Sequence, residues 1–279
     1  MIIDMHTHIG NVMEFEMPAE NLIESMKKYN ISLSITSNCE AAAFDHNQKP
    51  LPYTMQKSQE EAFQVAIDFA REHMGKIAIM PWIKPHFEGV TPQLIEQIRD
   101  NLDITVGIKL HPVHSLINVN SPQVKPYLEL AERFDLPVLV HTGTSPESTC
   151  ESVYECAVKH PNIKFILGHM GLGSDNSDAI KFIKKQPNLY GDTAWVPVES
   201  TVKAIKECGS EKILFGTDNT IDGVDTLAVN PKGERSLYQQ YFNELKDMIT
   251  PEEYANLMYK NSIRLFKLDK ILTKNKAVD

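Results

Sequence analysis

Eight short apolar runs alternate with amphipathic segments along the 279-residue chain, and this alternation limits the possible folds more than any other feature. The runs lie at residues 2–8, 31–36, 76–82, 106–111, 136–141, 163–169, 189–193 and 212–218. Each is rich in aliphatic, often β-branched residues and reads as a buried strand. Helical periodicity fills the spaces between them, at residues 18–29, 58–73, from 91, 121–134, 146–160, 175–186 and 199–208. Two further helices are expected at 234–248 and 251–266. Pro18 suits a first helical position, and Ser58-Gln59-Glu60-Glu61 has the form of a capping box. Strands alternating with helices imply parallel βα units. Eight of them within about 220 residues match a closed (β/α)8 barrel. A doubly wound open sheet would carry a glycine-rich phosphate turn after its first strand, and none is present. No linker or low-complexity segment divides the chain. The expectation is an α/β protein, a TIM barrel forming a single domain over residues 1–279.

The first strand carries the first chemical signal, Ile2-Ile3-Asp4-Met5-His6-Thr7-His8. Side chains alternate along a strand, so His6 and His8 face the same way. Two imidazoles there can bind one transition metal, and a barrel keeps its chemistry at this end of its strands. An isolated His-x-His pair is more often two ordinary histidines, so the later strand ends decide. His141 ends the fifth strand, His169 the sixth and Asp218 the eighth. Four histidines and an aspartate at one mouth suit a borderline-soft divalent ion such as zinc, with an open coordination position.

Other polar residues carry weaker signals. Lys109 lies inside the fourth strand, two residues before His111, so it should face the barrel interior. His111 either opposes a site-facing Leu110 or points with Lys109, and Pro112 after it can fix a turn. Trp82 and Trp195 follow strands three and seven, as pocket walls or as packing residues. His46 and His86 lie in loops of the same face, while His73 and His160 close helices, where imidazole suits the dipole. The long aperiodic connection at residues 38–57 has the length of a lid or binding loop.

The ordered set of strand ends resembles the amidohydrolase superfamily, in its amidohydrolase family 2, decarboxylase-like branch. The resemblance rests on Asp4-Met5-His6-Thr7-His8, Gly107-Ile108-Lys109-Leu110-His111-Pro112, Pro137-Val138-Leu139-Val140-His141-Thr142-Gly143, Phe165-Ile166-Leu167-Gly168-His169-Met170-Gly171 and Leu214-Phe215-Gly216-Thr217-Asp218. It continues into Tyr259-Lys260-Asn261-Ser262-Ile263-Arg264-Leu265-Phe266 and so covers essentially the whole chain. The resemblance implies that His6, His8 and His141 are metal ligands. It makes Asp218 a ligand that also handles a proton, and His169 a ligand or a catalytic imidazole. In other branches a strand-four lysine is carboxylated and bridges two metals. The simpler reading is that Lys109 hydrogen-bonds a ligand or the substrate, which leaves one ion. Lys109, His111, Trp82 and Trp195 are the expected substrate-binding residues.

The leading function is then metal-dependent hydrolysis of a C–N or C–O bond, in an amide, lactone or ester of a small molecule. The alternative is non-oxidative decarboxylation, which needs a cation on the substrate carboxylate, ideally arginine. Arg71, Arg99, Arg133 and Arg264 fall on expected helices away from the mouth. Only Arg235 could reach it, with Lys84 and Lys109 as partial substitutes. A non-catalytic metal-binding protein is the third reading, and it would be expected to have lost a member of the set. A formal charge of −9 argues against nucleic acid, and no apolar run is long enough to span a membrane. The opening residues lack the basic and apolar regions of a signal peptide. Four cysteines without C-x-x-C spacing read as free thiols, so a cytoplasmic location is expected. The expected partner is a small-molecule substrate, with a homodimer as the assembly allowed.

Overall fold

Parallel strands form a ring around the first strand's polar end, as the alternation requires. The computed structural model describes residues 1–221, 224 and 237–275. One sheet has the order β2 (Phe15–Met17), β1 (Ile3–Val12), β3 (Leu33–Asn38), β4 (Ile77–Ile79). The other runs β5 (Trp82–Ile83), β6 (Ile108–Leu110), β7 (Val138–Gly143), β8 (Phe165–Leu172), β9 (Leu189–Asp192), β10 (Ile213–Leu214). Backbone bonds join the two sheets on both sides. Val106 N donates to Ile79 O at 3.0 Å on one seam. On the other, Met5 N donates to Phe215 O at 3.0 Å and Asp218 N to His6 O at 2.8 Å. The result is the expected (β/α)8 barrel.

Two details of the strands differ from the sequence reading. The third strand is split at Pro81, which has no N–H to donate, although its carbonyl still accepts from Lys109 N at 2.9 Å. The stretch after Gly10, read as irregular, instead extends β1 to Val12 and returns as β2 in an antiparallel hairpin.

Helices α1 (Ala19–Tyr29), α2 (Gln59–Glu72), α3 (Pro92–Asp100), α4 (Pro112–Ser115), α5 (Lys125–Phe134), α6 (Cys150–Lys159), α7 (Ser177–Lys185) and α8 (Val198–Cys208) follow the strands. The capping box at α2 is complete: Glu61 N donates to Ser58 Oγ and Ser58 N to Glu61 Oε2. Pro18 precedes α1 as its cap instead of opening it. The short α4 was not anticipated, and α5 begins four residues later than expected because residues 121–124 form turns. Near the C-terminus, helical segments cover 237–247 and 251–266, with π turns at Gln240–Glu244 and Asn256–Lys260. A further helix, Asp269–Asn275, was not foreseen. Residues 234–236 of the expected helix, and Arg235 with them, lie outside the described residues. Among the described residues, no helix is long and apolar enough to cross a membrane.

The core has two layers. Ile3, Met5, Leu33, Ile35, Met80, Leu139, Ile166 and Leu214 pack inside the ring, closed below by Leu265, Phe266, Leu268 and Ile271. Ile79, Leu110, Val138, Val140, Phe165 and Leu167 face the helices. Each such side chain, fully buried, stabilises by roughly 1.5–3 kcal/mol. With the lower interior filled by hydrocarbon, polar side chains collect at the upper mouth.

Strict alternation would not bring all of them there. On β1, His6 shares parity with Asp4 and not with the interior residues Ile3 and Met5. A β-bulge between Asp4 and Thr7 shifts the register and brings His6 into the site. On β8, His169 shares parity with the outward Phe165 and Leu167. Its left-handed φ of 66°, followed by 47° at Met170, turns it inward.

His6 also needs room. A Cβ on Gly216 would lie 2.8 Å from His6 Cβ, closer than real carbons approach. Gly216→Ala should therefore cost about 1–3 kcal/mol of stability through overpacking, read as a lower urea midpoint at unchanged slope. An unchanged midpoint would show that this approach is not tight.

Candidate active site

The strand ends converge on three side chains. His6, from the bulge of β1, His169, from the turned end of β8, and Asp218, after β10, each present one donor atom, all within 4.8 Å of one another. All three are buried. His8 joins them through Asp218: its Nε2 lies 3.0 Å from Asp218 Oδ1, while its Nδ1 lies 3.1 Å from Ser37 Oγ. His141 stands at the edge, its ring 4.6 Å from that of His169. The geometry thus gathers His6, His169 and Asp218 most tightly, with His8 and His141 outside that trio.

Each member of the trio is held from behind. His6 Nδ1 lies 2.7 Å from Asp192 Oδ2, and His6 Nε2 lies 2.6 Å from Lys109 Nζ. His169 Nδ1 donates to the carbonyl of Ala194 at 3.1 Å. Trp195 Nε1 donates to Asp218 Oδ2 at 2.7 Å, so Oδ1 is the oxygen facing His6 and His8. The backbone is left-handed at Trp195 and Asp218 as well, with φ of 61° and 65°. Such conformations cost on the order of 1–3 kcal/mol each and gather where function needs them.

Burial dominates the electrostatics. It holds His6, His111 and His141 well below the usual imidazole pKa and brings His169 down to about 4, so all four are neutral near pH 7. Burial likewise lowers the amine of Lys109, which is 0% exposed, to about 8. Asp218 goes the other way. Burial opposes its ionisation, but His6, His169 and His8 outweigh it and keep the carboxyl well below its ordinary value.

The remaining candidates form the walls. Trp82, His111 and His141 make a ladder of near-parallel rings, with centroids 5.2 Å and 3.8 Å apart. His111 follows β6 as the cap of α4, its Nδ1 accepting from His114 N, and Pro112 opens the short turn. These three, Trp195 and Asp218 line a cavity of about 500 Å3 whose other surfaces include Val12, Phe15, Met17 and Leu172. Trp82 Nε1 has no hydrogen-bond partner among the described residues. The loop at 38–57 contributes Cys39, Ala42 and His46 to the same cavity. Cys39, Cys150, Cys156 and Cys208 are all free thiols. Lys84 does not reach the cavity as a substitute for arginine. Its Nζ donates to Gln56 Oε1 and Lys57 O and so anchors the end of that loop. His86 is similarly occupied, with Nδ1 on Leu116 O.

Sequence reasoning missed Asp192. It lies in Leu189-Tyr190-Gly191-Asp192-Thr193, two residues from Tyr190, which packs towards the interior cluster. Strand parity alone would have flagged an acidic residue aimed at the mouth.

The comparisons with known proteins agree with this geometry. The sequence profile of the amidohydrolase family matches residues 3–268. A curated relative from Acholeplasma laidlawii, named formate–tetrahydrofolate ligase, is 26% identical over 211 residues, 73% of this chain. The chain spans only about 39% of the length of that relative. Among solved structures, a Polaromonas dihydroxybenzoic acid decarboxylase with bound manganese and 2-nitroresorcinol superposes with a TM-score of 0.68 at 15% identity, over 96% of this chain and 97% of its own. A probable 2-pyrone-4,6-dicarboxylic acid hydrolase from Acinetobacter baumannii, with citric acid bound, gives 0.64 at 13% identity, over 95% and 99%. At those identities the structures speak for the fold, and the profile over nearly the whole length speaks for descent: the chain belongs to the amidohydrolase family.

Proposed function

We propose that the chain is a metal-dependent hydrolase that activates water to cleave a C–N or C–O bond, of amide, lactone or ester type, in a small uncharged molecule. One observation carries this reading: Asp218, beside His6 and His169, opens onto a largely apolar cavity with no arginine or lysine among the described residues that line it. His6, His8, His141, His169 and Asp218 are the side chains that would hold one divalent ion, with zinc as the first choice. Imidazole nitrogen with carboxylate oxygen fits such an ion. The fit is supported by the partners on His6 and His169, which occupy Nδ1 and leave Nε2 as the donor atom. A divalent ion there supplies Lewis acidity towards water and towards a substrate carbonyl. Lys109 must release His6 Nε2 for it, and the lowered amine pKa of about 8 eases that release.

In this reading Asp218 takes a proton from the attacking water and returns it to the leaving group. The neutral imidazole of His111 flanks the cavity and can donate to a developing oxyanion. Apolar walls and a loop from 38–57 packed over them restrict the substrate to a compact molecule.

The likeness to the Polaromonas decarboxylase supports a second reading, loss of CO2 from a small carboxylic acid, with Lys109 towards the carboxylate. Against it, Arg71, Arg99 and Arg264 are engaged with Asp103, Asp100 and Asn261. Turnover of neutral lactones and amides without release of CO2 from aromatic acids favours hydrolysis, and the converse pattern favours the second reading.

Three outcomes are expected. Elemental analysis should find about one zinc-like ion per chain, and little in a His6→Ala/His8→Ala double variant. Full occupancy in that variant would remove the ligand assignment. Asp218→Asn should retain the fold yet lose roughly 10²–10⁴-fold in turnover. Recovery of full activity with excess metal would mean that Asp218 only holds the ion.

The third outcome concerns pH. His114 donates from Nδ1 to Phe44 O at 2.8 Å and thereby holds the loop wall. Burial lowers its pKa to about 4 in the folded chain, against about 6.5 when unfolded. The unfolded chain therefore binds the extra proton first. This contribution is complete above about pH 6.5 and is lost as pH falls towards 4. Between pH 7 and 5 it amounts to on the order of 2 kcal/mol. His114→Asn should show a correspondingly smaller loss of stability over that interval in urea titrations, and an identical loss would refute the assignment.

A further inference from the structure

The three members of the trio come from three different strands, yet a single four-residue segment grips all of them. Asp192 ends β9, and residues 193–195 follow it. Asp192 Oδ2 takes His6 Nδ1 at 2.7 Å, the Ala194 carbonyl takes His169 Nδ1 at 3.1 Å, and Trp195 Nε1 donates to Asp218 Oδ2 at 2.7 Å. Asp192 Oδ1 accepts two backbone N–H groups, from His169 at 2.8 Å and Ala194 at 3.1 Å. Thr193 ties the segment to the adjoining chain by exchanging bonds with Gly216, at 2.9 and 3.0 Å. We infer that residues 192–195 are a positioning clamp, with Asp192 and Trp195 as its side chains, that sets the tautomer of both imidazoles and the orientation of the carboxylate. The inference rests on the metal-centre reading above.

The chemistry follows from what each acceptor can do. A backbone carbonyl only accepts, so His169 carries its proton on Nδ1 and turns an Nε2 lone pair to the centre. A carboxylate also only accepts, so His6 is held in the same tautomer, and Lys109 Nζ at 2.6 Å donates to its Nε2. Trp195 is a donor only and engages Oδ2, leaving Oδ1 free to face inward. Partners of this kind orient metal-binding histidines and raise their basicity.

Asp192→Asn makes the inference sharp. The two backbone N–H groups retain the amide oxygen, so the amide NH2 must face His6 Nδ1. That nitrogen then has to accept, and the His6 proton moves to Nε2, where it blocks ligation. A wrong tautomer in an unchanged fold is a recognised consequence of such a substitution in other enzymes. His169, whose Nδ1 partner is a carbonyl, should be unaffected.

The test uses the full chain labelled with 15N-histidine, stripped of metal by chelation, with signals assigned through single His→Gln variants. In the wild type, Nε2 of both His6 and His169 should resonate as unprotonated nitrogen. In Asp192→Asn only His6 should switch, and zinc affinity, measured by competition with a chromophoric chelator, should fall roughly 10–100-fold. A purely structural Asp192 would not switch one histidine and spare the other. Should Asp192→Asn fail to fold, Trp195→Phe gives the second arm: about a 10-fold loss of zinc affinity with both tautomers unchanged. Protonated Nε2 on either histidine in the wild type would overturn the clamp. So would an Asp192→Asn protein with the wild-type tautomer and zinc affinity, or a Trp195→Phe protein with undiminished affinity. A wild-type chain that binds no zinc counts against the metal centre itself, while the tautomers still decide the clamp.

Discussion

A buried imidazole must find partners for both ring nitrogens, and the requirement of His6, 1% exposed, organises the mouth of the barrel. Asp192 reaches it from β9 and Lys109 from β6, while Asp218 approaches from beyond β10. Gly216 leaves room for it: a Cβ there would lie 2.8 Å from His6 Cβ. Residues from β6, β9 and the segment after β10 thus all serve one side chain. Breaking any of these contacts would leave a buried polar atom unpaired, at a cost of about 1–3 kcal/mol.

The same burial sets the chemistry. Desolvation keeps His6, His111, His141 and His169 neutral, each with a lone pair to offer. Asp218 remains charged because imidazole partners surround it. Asp4 lies just below, fully buried, with its pKa raised to about 7 by desolvation against hydrogen bonds from Thr217 and Tyr238. Burial therefore prevails at Asp4, whose partners are hydroxyls, and is overcome at Asp218, whose partners are imidazoles. Left-handed backbone at His169, Met170, Trp195 and Asp218 adds strain at this point. The hydrocarbon interior beneath and the helices outside hold that strain in place.

Above the centre, the character of the protein changes. Trp82, His111 and His141 give a flat wall, and Val12, Phe15, Met17 and Leu172 give an apolar one. The loop over them is ordered by specific bonds. His114 O receives Ala43 N, Lys84 clasps Gln56 and Lys57, and Phe44 pairs with Pro50. Its buried residues Ala41, Ala42 and Ala43 pack as core. A wall built this way selects by shape and hydrophobicity, with a few polar groups to orient what enters.

Much of this was readable before folding. Aliphatic runs alternating with amphipathic helices dictate parallel βα units, because each element has only one way to bury its apolar side. Histidines and an aspartate directly after such runs mark one end of the barrel, as strand direction is shared. Folding decided the rest through contacts remote in the chain. The bulge that turns His6 inward depends on pairing with Leu33–Asn38, and the turn at His169 depends on the site it enters. Strand parity can aim Asp192 at the mouth, but that its partner is His6, 186 residues away, is decided only in the fold. Lys84 looked available for substrate until the loop end claimed it. Periodicity encodes which face of an element is buried, whereas the partner of a buried polar atom is chosen only when distant strands are brought side by side.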